Sequence, residues 1–215
     1  MTIDYDPEWG TATRGVRAGT HRGPDGEHSS AIYMTSSFVF DSAEACAARF
    51  AGEEPGNIYS RFTNPTVDAF CDRLAAMEGG EACVATGSGM SAILATCLAT
   101  LESGDHIVAA HTLFGSTIGM FNNYLGKLGI RTTYVAPDDV DAWKAAIEPN
   151  TKMLFVETPS NPLTEIVDLG ALGALANEHD AWLVVDNCFC TPALQRPLEL
   201  GAHIVTHSAT KYIDG

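Results

Sequence analysis

The sequence predicts an α/β fold with a mostly parallel sheet and helices on both of its faces. Short, continuously apolar segments alternate along the chain with longer segments in which apolar residues recur at helical spacing. Continuously apolar strands separated by helices are typical of a parallel sheet that is covered on both sides. The predicted strands are 82–85, 106–110, 132–135, 153–156, 182–185 and 203–206, and the predicted helices between them are 90–101, 116–128, 140–147 and 169–179.

The first 62 residues differ from the rest of the chain. Glycine and proline recur along these residues, and only 43–50 has a helical pattern. We therefore expect an N-terminal arm rather than a domain. A helix is then predicted from Asn64, which can cap it, to the glycines at 79 and 80, which end it. The predicted division is an N-terminal arm, 1–62, and a second domain, 63–215.

The composition indicates a globular protein. Hydrophobic residues make up 46% of the chain and charged residues 18%. Twelve Lys and Arg against 27 Asp and Glu give a net charge of −15, which argues against binding to nucleic acid. The longest near-apolar stretch, 92–101, is far shorter than the ~20 residues of a membrane span, and the acidic N-terminus has no signal-peptide pattern. We expect a cytoplasmic protein with no membrane partner.

The cysteines predict no disulfide framework. Six are scattered along the chain without a CxxC pair, which favours reduced thiols. A redox role for Cys188 and Cys190, which alternate around Phe189 after a predicted strand, is the alternative.

Several predicted strands are followed by residues that can bind a ligand or take part in a reaction. In a parallel sheet, ligands bind at the carboxyl ends of the strands. Strand 82–85 leads into TGSGMSA, a glycine-containing turn that opens a helix and favours an anion. Strand 182–185 leads to Asp186, and strand 203–206 leads to Lys211 with the hydroxyls of Ser208 and Thr210.

Each of these features, taken alone, has an ordinary structural explanation. The turn can serve tight packing, Asp186 can cap a helix or a turn, and Lys211 can be a surface amine. At one edge of one sheet, however, they supply a phosphate pocket, a carboxylate for a ring nitrogen and an amine for a Schiff base. Pyridoxal phosphate (PLP) needs these three groups.

Three other site types fit the sequence poorly. GSGMSA, at 87–92, matches the GxGxxG/A dinucleotide pattern, but no acidic residue ends the following strand. The SxxK at 208–211 lacks the Ser-Asp-Asn and Lys-Thr-Gly motifs of serine β-lactamases. His203 and His207, four apart on a predicted strand, lie about 13 Å apart. That separation is too large for a shared metal, and we expect no metal site.

Five motifs together resemble the Cys/Met-metabolism, or transsulfuration, family of PLP-dependent enzymes. They are YSRFTNPT (59–66), ATGSGMSA (85–92), ETPSNP (157–162), DNCFCTP (186–192) and SATKYIDG (208–215), and they cover nearly the whole chain. The resemblance implies the type I, aspartate-aminotransferase-like fold. Within the family, the N-terminal stretch RAGTHRGPDGEHSSAIYMTSSFVF most resembles bacterial O-succinylhomoserine sulfhydrylases.

The resemblance also assigns roles by position. Lys211 would carry the cofactor as a Schiff base, and Asp186 would pair with its ring nitrogen. Phe114, in LFGST, would stack on the ring where many relatives have tyrosine, so the phenol is lost while the aromatic face is kept. The remaining cofactor-binding residues implied are Gly89, Met90, Ser208 and Thr210 at the phosphate, Asn161 near the ring hydroxyl, and Tyr59 and Arg61 reaching the phosphate of the neighbouring subunit.

The reaction implied is γ-replacement, in which O-succinylhomoserine and sulfide give homocysteine and succinate for methionine biosynthesis. Cystathionine γ-synthase and methionine or cystathionine γ-lyase activities of the same family are the alternatives. Ser116, in place of a cysteine found in methionine γ-lyases, favours the synthetic reaction. The arm would pack on a partner subunit, in a homotetramer that is a dimer of dimers.

The family's sequences continue well past the position that matches Gly215. The resemblance therefore implies that the PLP-binding domain is incomplete here. It also implies that a C-terminal domain, with the arginine that binds the substrate carboxylate, lies outside this chain. A catalytically inert, truncated subunit is the non-enzymatic alternative.

Overall fold

The computed structural model describes residue 6 and residues 8–214, in two compact units, Met1–Ala85 and Thr86–Gly215. No helix in this described part of the chain is both long enough and apolar enough to cross a membrane.

The first unit contains three helices, α1 (Thr11–Arg17), α2 (Ala43–Phe50) and α3 (Pro65–Glu78). The caps predicted for α3 are confirmed. The Asn64 side chain accepts a hydrogen bond from the N–H of Thr66, and Gly79 ends the helix with a left-handed φ of 77°. This conformation costs glycine little because it has no Cβ.

Two predictions for this unit are wrong. The region before residue 62 contains α1 as well as α2. Helix α1 has no side-chain N-cap, and contacts with α3 hold it instead: Arg14 donates to the carbonyl of Ala76 at 3.3 Å, and Arg73 to that of Ala18 at 3.0 Å. Segment 82–85 is not a strand, because it has no ladder partner among the described residues. An apolar pattern does not make a strand without a neighbour to pair with.

The second unit is built on five parallel strands in the order β2-β1-β3-β4-β5. Its strands are β1 (His106–Ala110), β2 (Arg131–Val135), β3 (Thr151–Glu157), β4 (Trp182–Asp186) and β5 (Ile204–Thr206). Its α-helices are α4 (Gly89–Thr100), α5 (Gly115–Met120), α6 (Val140–Ala146), α7 (Leu169–Glu178) and α8 (Thr191–Leu194). The predicted parallel sheet and five of the six predicted strands are confirmed, with boundaries within two residues.

The predicted helix 116–128 is present but changes its hydrogen bonding along its length. It starts as α5, continues as a π-helix over Phe121–Leu125 and ends as a 3₁₀ turn over Gly126–Leu128. The short helix α8 and a 3₁₀ turn at Pro197–Leu200 were not predicted, because segments of four residues carry too little periodicity.

The core lies between the sheet and its helices. Strand β1 is buried at every position, and Trp143 of α6 and Phe155 of β3 are fully buried. His106 is also fully buried, and its two ring nitrogens contact Thr151 Oγ1 at 2.8 Å and Thr133 Oγ1 at 2.9 Å. Burial lowers the pKa of His106, so this histidine is a neutral packing residue.

Candidate active site

The carboxyl ends of the strands bring the predicted site residues to one edge of the sheet. Glu157, the last residue of β3, pairs in register with Asp186, the last of β4, and Asp186 pairs with Thr206, the last of β5. Strand β2 lies on one side of β1 and β3 lies on the other, so the strand order reverses between the neighbouring strands β1 and β3, although all the strands are parallel. Such a reversal opens a crevice where ligands bind in parallel α/β sheets.

Asp186 is a buried carboxylate with positive groups nearby. Its side chain is 8% exposed, and Oδ1 accepts a hydrogen bond from the N–H of Cys188 at 3.1 Å. Burial raises the pKa of Asp186, whereas the backbone N–H and the thiol of Cys188 and the positive charges of His207 and Lys211 lower it. The structure therefore places the predicted carboxylate and the predicted lysine within electrostatic reach of each other.

The start of α4 lies against the segment that follows β5. Ser88 caps this helix by accepting a hydrogen bond from the N–H of Ser91 at 3.1 Å. A Cβ built on Gly89 would lie 2.7 Å from the Cβ of Ser208 and 3.1 Å from its Cα, so only glycine permits this approach. Free amides at a helix start and a serine hydroxyl beside them form a suitable cradle for a phosphate. Met90, the next residue, packs its sulfur 3.9 Å from Thr117 Oγ1 of α5.

Phe114 follows β1, one of the two neighbouring strands between which the strand order reverses. Phe114 is 45% exposed, and its backbone N–H, just before α5, donates to Glu157 Oε2 at 2.7 Å. Sequence reasoning placed Glu157 in the ETPSNP motif but gave it no role of its own. The sequence signal for Glu157 was the same as for Asp186: each is an acidic residue at the end of an apolar strand.

Burial raises the pKa of Glu157 to about 7, with a smaller contribution from the negative charge of Asp186. The hydrogen bond from Phe114 opposes this rise. Glu157 thus changes its charge close to neutral pH, directly beside the carboxylate predicted to serve the cofactor.

We expect Glu157→Gln to remove a pH dependence of stability. A carboxyl whose folded pKa is raised from 4.5 to about 7 destabilises the fold as pH rises through that window, by about 3 kcal/mol once pH exceeds 7. Urea unfolding at pH 5 and pH 8 should show a smaller difference in the free energy of unfolding in Glu157→Gln than in the wild type. Glu178→Gln, which changes an exposed carboxyl on α7, should retain the wild-type difference. Equal differences in all three proteins would contradict the prediction.

The remaining predicted residues are Asn161, Thr210, Tyr59 and Arg61. Asn161 is exposed in the turn after β3, and Thr210 is exposed in the segment after β5. Tyr59 and Arg61 belong to the first unit, where the Arg61 guanidinium lies 5.6 Å from the centre of the Tyr59 ring. Their predicted contact with a neighbouring subunit's phosphate stays a prediction.

All six cysteines are free thiols, as the sequence predicted. Nothing in the described part of the chain tests the alternative redox role of Cys188 and Cys190, which stays a prediction.

Comparisons with known proteins agree with this geometry. Residues 12–215 match the model of the family described as Cys/Met metabolism PLP-dependent enzyme. An O-succinylhomoserine sulfhydrylase of Pseudomonas aeruginosa is 58% identical over 203 residues, which cover 94% of this chain and 50% of that protein. An L-methionine gamma-lyase of Fusobacterium nucleatum subsp. polymorphum is 47% identical over 209 residues, which cover 97% of this chain and 53% of that protein.

A solved structure from Campylobacter jejuni, described as an O-acetylhomoserine (thiol)-lyase, superposes with a TM-score of 0.90 at 32% identity. The match covers 96% of this chain and 51% of that one, and the solved structure carries N'-pyridoxyl-lysine-5'-monophosphate. The chain spans about half the length of the curated relatives it matches. The fold and family predicted from the motifs are confirmed, and the chain belongs to the PLP-dependent enzymes of Cys/Met metabolism.

Proposed function

We propose that this chain forms the cofactor-binding part of an enzyme that converts O-succinylhomoserine and sulfide to homocysteine and succinate. The observation that carries this proposal is the cluster at the sheet edge, where a buried carboxylate, a lysine and a helix start beside a serine lie together in a chain 58% identical to an O-succinylhomoserine sulfhydrylase. The 47% identity to a methionine γ-lyase supports elimination as the second candidate.

The residues present fit pyridoxal phosphate. The amides of Gly89 and Met90 would hold the phosphate with Ser208 and Thr210, because a helix start and hydroxyls suit an anion. The exposed ring of Phe114 would cover one face of the cofactor, and Asn161 would lie near its ring hydroxyl.

Pyridoxal phosphate supplies an electron sink that stabilises negative charge at the substrate α carbon. The Lys211 amine would attach the cofactor and, once displaced by the substrate amine, accept the α proton as a general base. The Asp186 carboxylate would hold a proton at the ring nitrogen. Burial of Asp186 would strengthen the attraction between its carboxylate and the protonated ring nitrogen, because a low dielectric weakens the competing interaction with water.

At the substrate, succinate leaves from the γ carbon and sulfide takes its place. A γ-lyase would use water instead and give a keto acid and ammonia. Ser116 occupies the position of the methionine γ-lyase cysteine noted above, which supports replacement.

We also propose that residues 1–62 contact a neighbouring subunit within a dimer of dimers in the cytoplasm. Several large apolar side chains of this segment are exposed in the isolated chain, including Ile32 (78%), Met34 (94%) and Val39 (93%). Apolar surface of this kind is typical of an interface. Tyr59 and Arg61 would then complete the phosphate site of the partner.

A product assay on the full-length protein tests the reaction. O-succinylhomoserine and sulfide should give homocysteine and succinate in equal amounts, and the cofactor should be trapped on Lys211 by borohydride. Keto acid and ammonia as the only products would overturn the replacement reaction in favour of the lyase. Absence of any trapped cofactor would overturn catalysis altogether.

Gly89→Ala should weaken the binding of pyridoxal phosphate by at least about tenfold. The added methyl group would lie 2.7 Å from the Cβ of Ser208 and would force the helix start away from the phosphate contacts. Equilibrium dialysis measures the dissociation constant. Gly119→Ala is the matched control, because its new Cβ would meet only Asn123 Nδ2, at 3.9 Å. Similar affinity in both variants would rule out the close approach as a requirement for binding.

A further inference from the structure

The side chain of Cys188 lies between the two strand ends that carry the proposed cofactor groups. Cys188 follows β4 by two residues and is half-buried, and its Sγ accepts a hydrogen bond from the backbone N–H of Ser208, which follows β5. Its backbone N–H donates to the Asp186 carboxylate at 3.1 Å, and its thiol favours the charged form of that carboxylate. One residue thus connects the carboxylate with the segment that leads to Lys211.

The chemistry of the thiol suits this bridging position. Burial raises the pKa of Cys188, and the negative charge of Asp186 raises it further. The thiol therefore keeps its hydrogen at neutral pH, so it adds no second negative charge beside Asp186, and its sulfur accepts the Ser208 N–H. Serine can both donate and accept in the same way, whereas alanine can do neither.

The groups that face Asp186 show why a donor is needed there. Burial favours the neutral acid, and Glu157, the in-register neighbour on β3, brings a second carboxyl beside it. His207 and Lys211, in the segment after β5, favour the charged form together with the backbone N–H and the thiol of Cys188. Cys188 therefore opposes the rise in the pKa of Asp186 that burial causes.

We propose that Cys188 is a positioning residue, which fixes the Asp186 carboxylate and the Ser208 backbone relative to each other for the binding of pyridoxal phosphate. The inference rests on the cofactor site proposed above. It assigns Cys188 a hydrogen-bonding role in place of a redox role.

The test uses the full-length protein with Cys188→Ala, Cys188→Ser and Cys190→Ala. Cys190 is a half-buried thiol two residues further on, which makes it a matched control. Equilibrium dialysis gives the dissociation constant for pyridoxal phosphate, and the absorption spectrum of the bound cofactor gives its pH profile. Thermal unfolding of the cofactor-free proteins reports any general loss of packing.

We expect Cys188→Ala to weaken cofactor binding about tenfold and to shift the pH profile, because the Ser208 N–H loses its acceptor and Asp186 loses a neighbour that favours its charged form. Cys188→Ser should bind within about threefold of the wild type, and Cys190→Ala should bind like the wild type. Unchanged affinity and pH profile in Cys188→Ala would overturn the inference, and so would equal weakening in the alanine and serine variants.

Borohydride trapping separates this inference from the function on which it rests. A trapped cofactor in the wild type, together with unchanged binding in Cys188→Ala, overturns the role of Cys188 alone. No trapped cofactor in the wild type overturns the proposed function and the role of Cys188 with it.

Discussion

Replacing Lys211 by alanine is expected to abolish the covalent attachment of pyridoxal phosphate and to lower kcat by on the order of 10⁴-fold. The proposed roles of the amine are to attach the cofactor and to move the α proton, and a positioned general base contributes roughly 10²–10⁴-fold by itself. Lys211 is exposed in the segment after β5, so the substitution should leave the free energy of unfolding within about 0.5 kcal/mol of the wild type.

Borohydride reduction followed by mass analysis of the peptide that contains residue 211 measures the attachment. Lys144→Ala is the matched control, because Lys144 is an exposed lysine on α6. The control should retain both the label and kcat. A Lys211→Ala protein that still carries the label would contradict the assignment and would point to another amine.

Asp186→Asn should lower kcat by roughly 10²–10³-fold without destabilising the fold. The neutral amide cannot balance a proton on the ring nitrogen, and loss of one such electrostatic interaction typically costs this much. Asparagine keeps an oxygen that can accept the Cys188 N–H, and it removes a buried carboxylate whose pKa burial raises. Stability at pH 8 should therefore be equal to or higher than that of the wild type.

Steady-state kinetics and urea unfolding at pH 8 measure the two effects separately. Asp138→Asn, which changes an exposed carboxylate in the turn before α6, should change neither. Wild-type kcat in Asp186→Asn would exclude the proposed role at the ring nitrogen. A parallel fall in kcat and stability would show instead that Asp186 acts through the fold.

Most of the second unit was predictable from the sequence because several of its strands contain an unbroken apolar run. Strand β1 was predicted with its observed boundaries, and β3 and β4 within two residues, since residues buried on both faces leave an unbroken apolar run. The start of α3 was predictable for a different reason. Asn64 and Pro65 determine that helix start by local chemistry alone.

The predictions that are wrong concern segments whose structure depends on distant partners. Helix α1 is held by hydrogen bonds with Arg73 and Ala76, near the C-terminal end of α3. Its own sequence provides no side-chain cap. Segment 82–85 has an apolar strand pattern but no partner in the described sheet. Neither outcome is encoded in a window of neighbouring residues.

By itself, the sequence determined the parallel α/β fold and the family, and it predicted the two residues proposed as most central to the chemistry, Asp186 and Lys211. Apolar runs, caps and short motifs express these features within a few neighbouring residues. Only the tertiary structure decided that Glu157 lies in register beside Asp186, that its pKa is raised to about 7, and that Cys188 connects Asp186 with Ser208. Strand register and burial arise between segments that lie 20 or more residues apart in the sequence. Register determines which side chains meet, and burial determines how strongly water is excluded from those side chains.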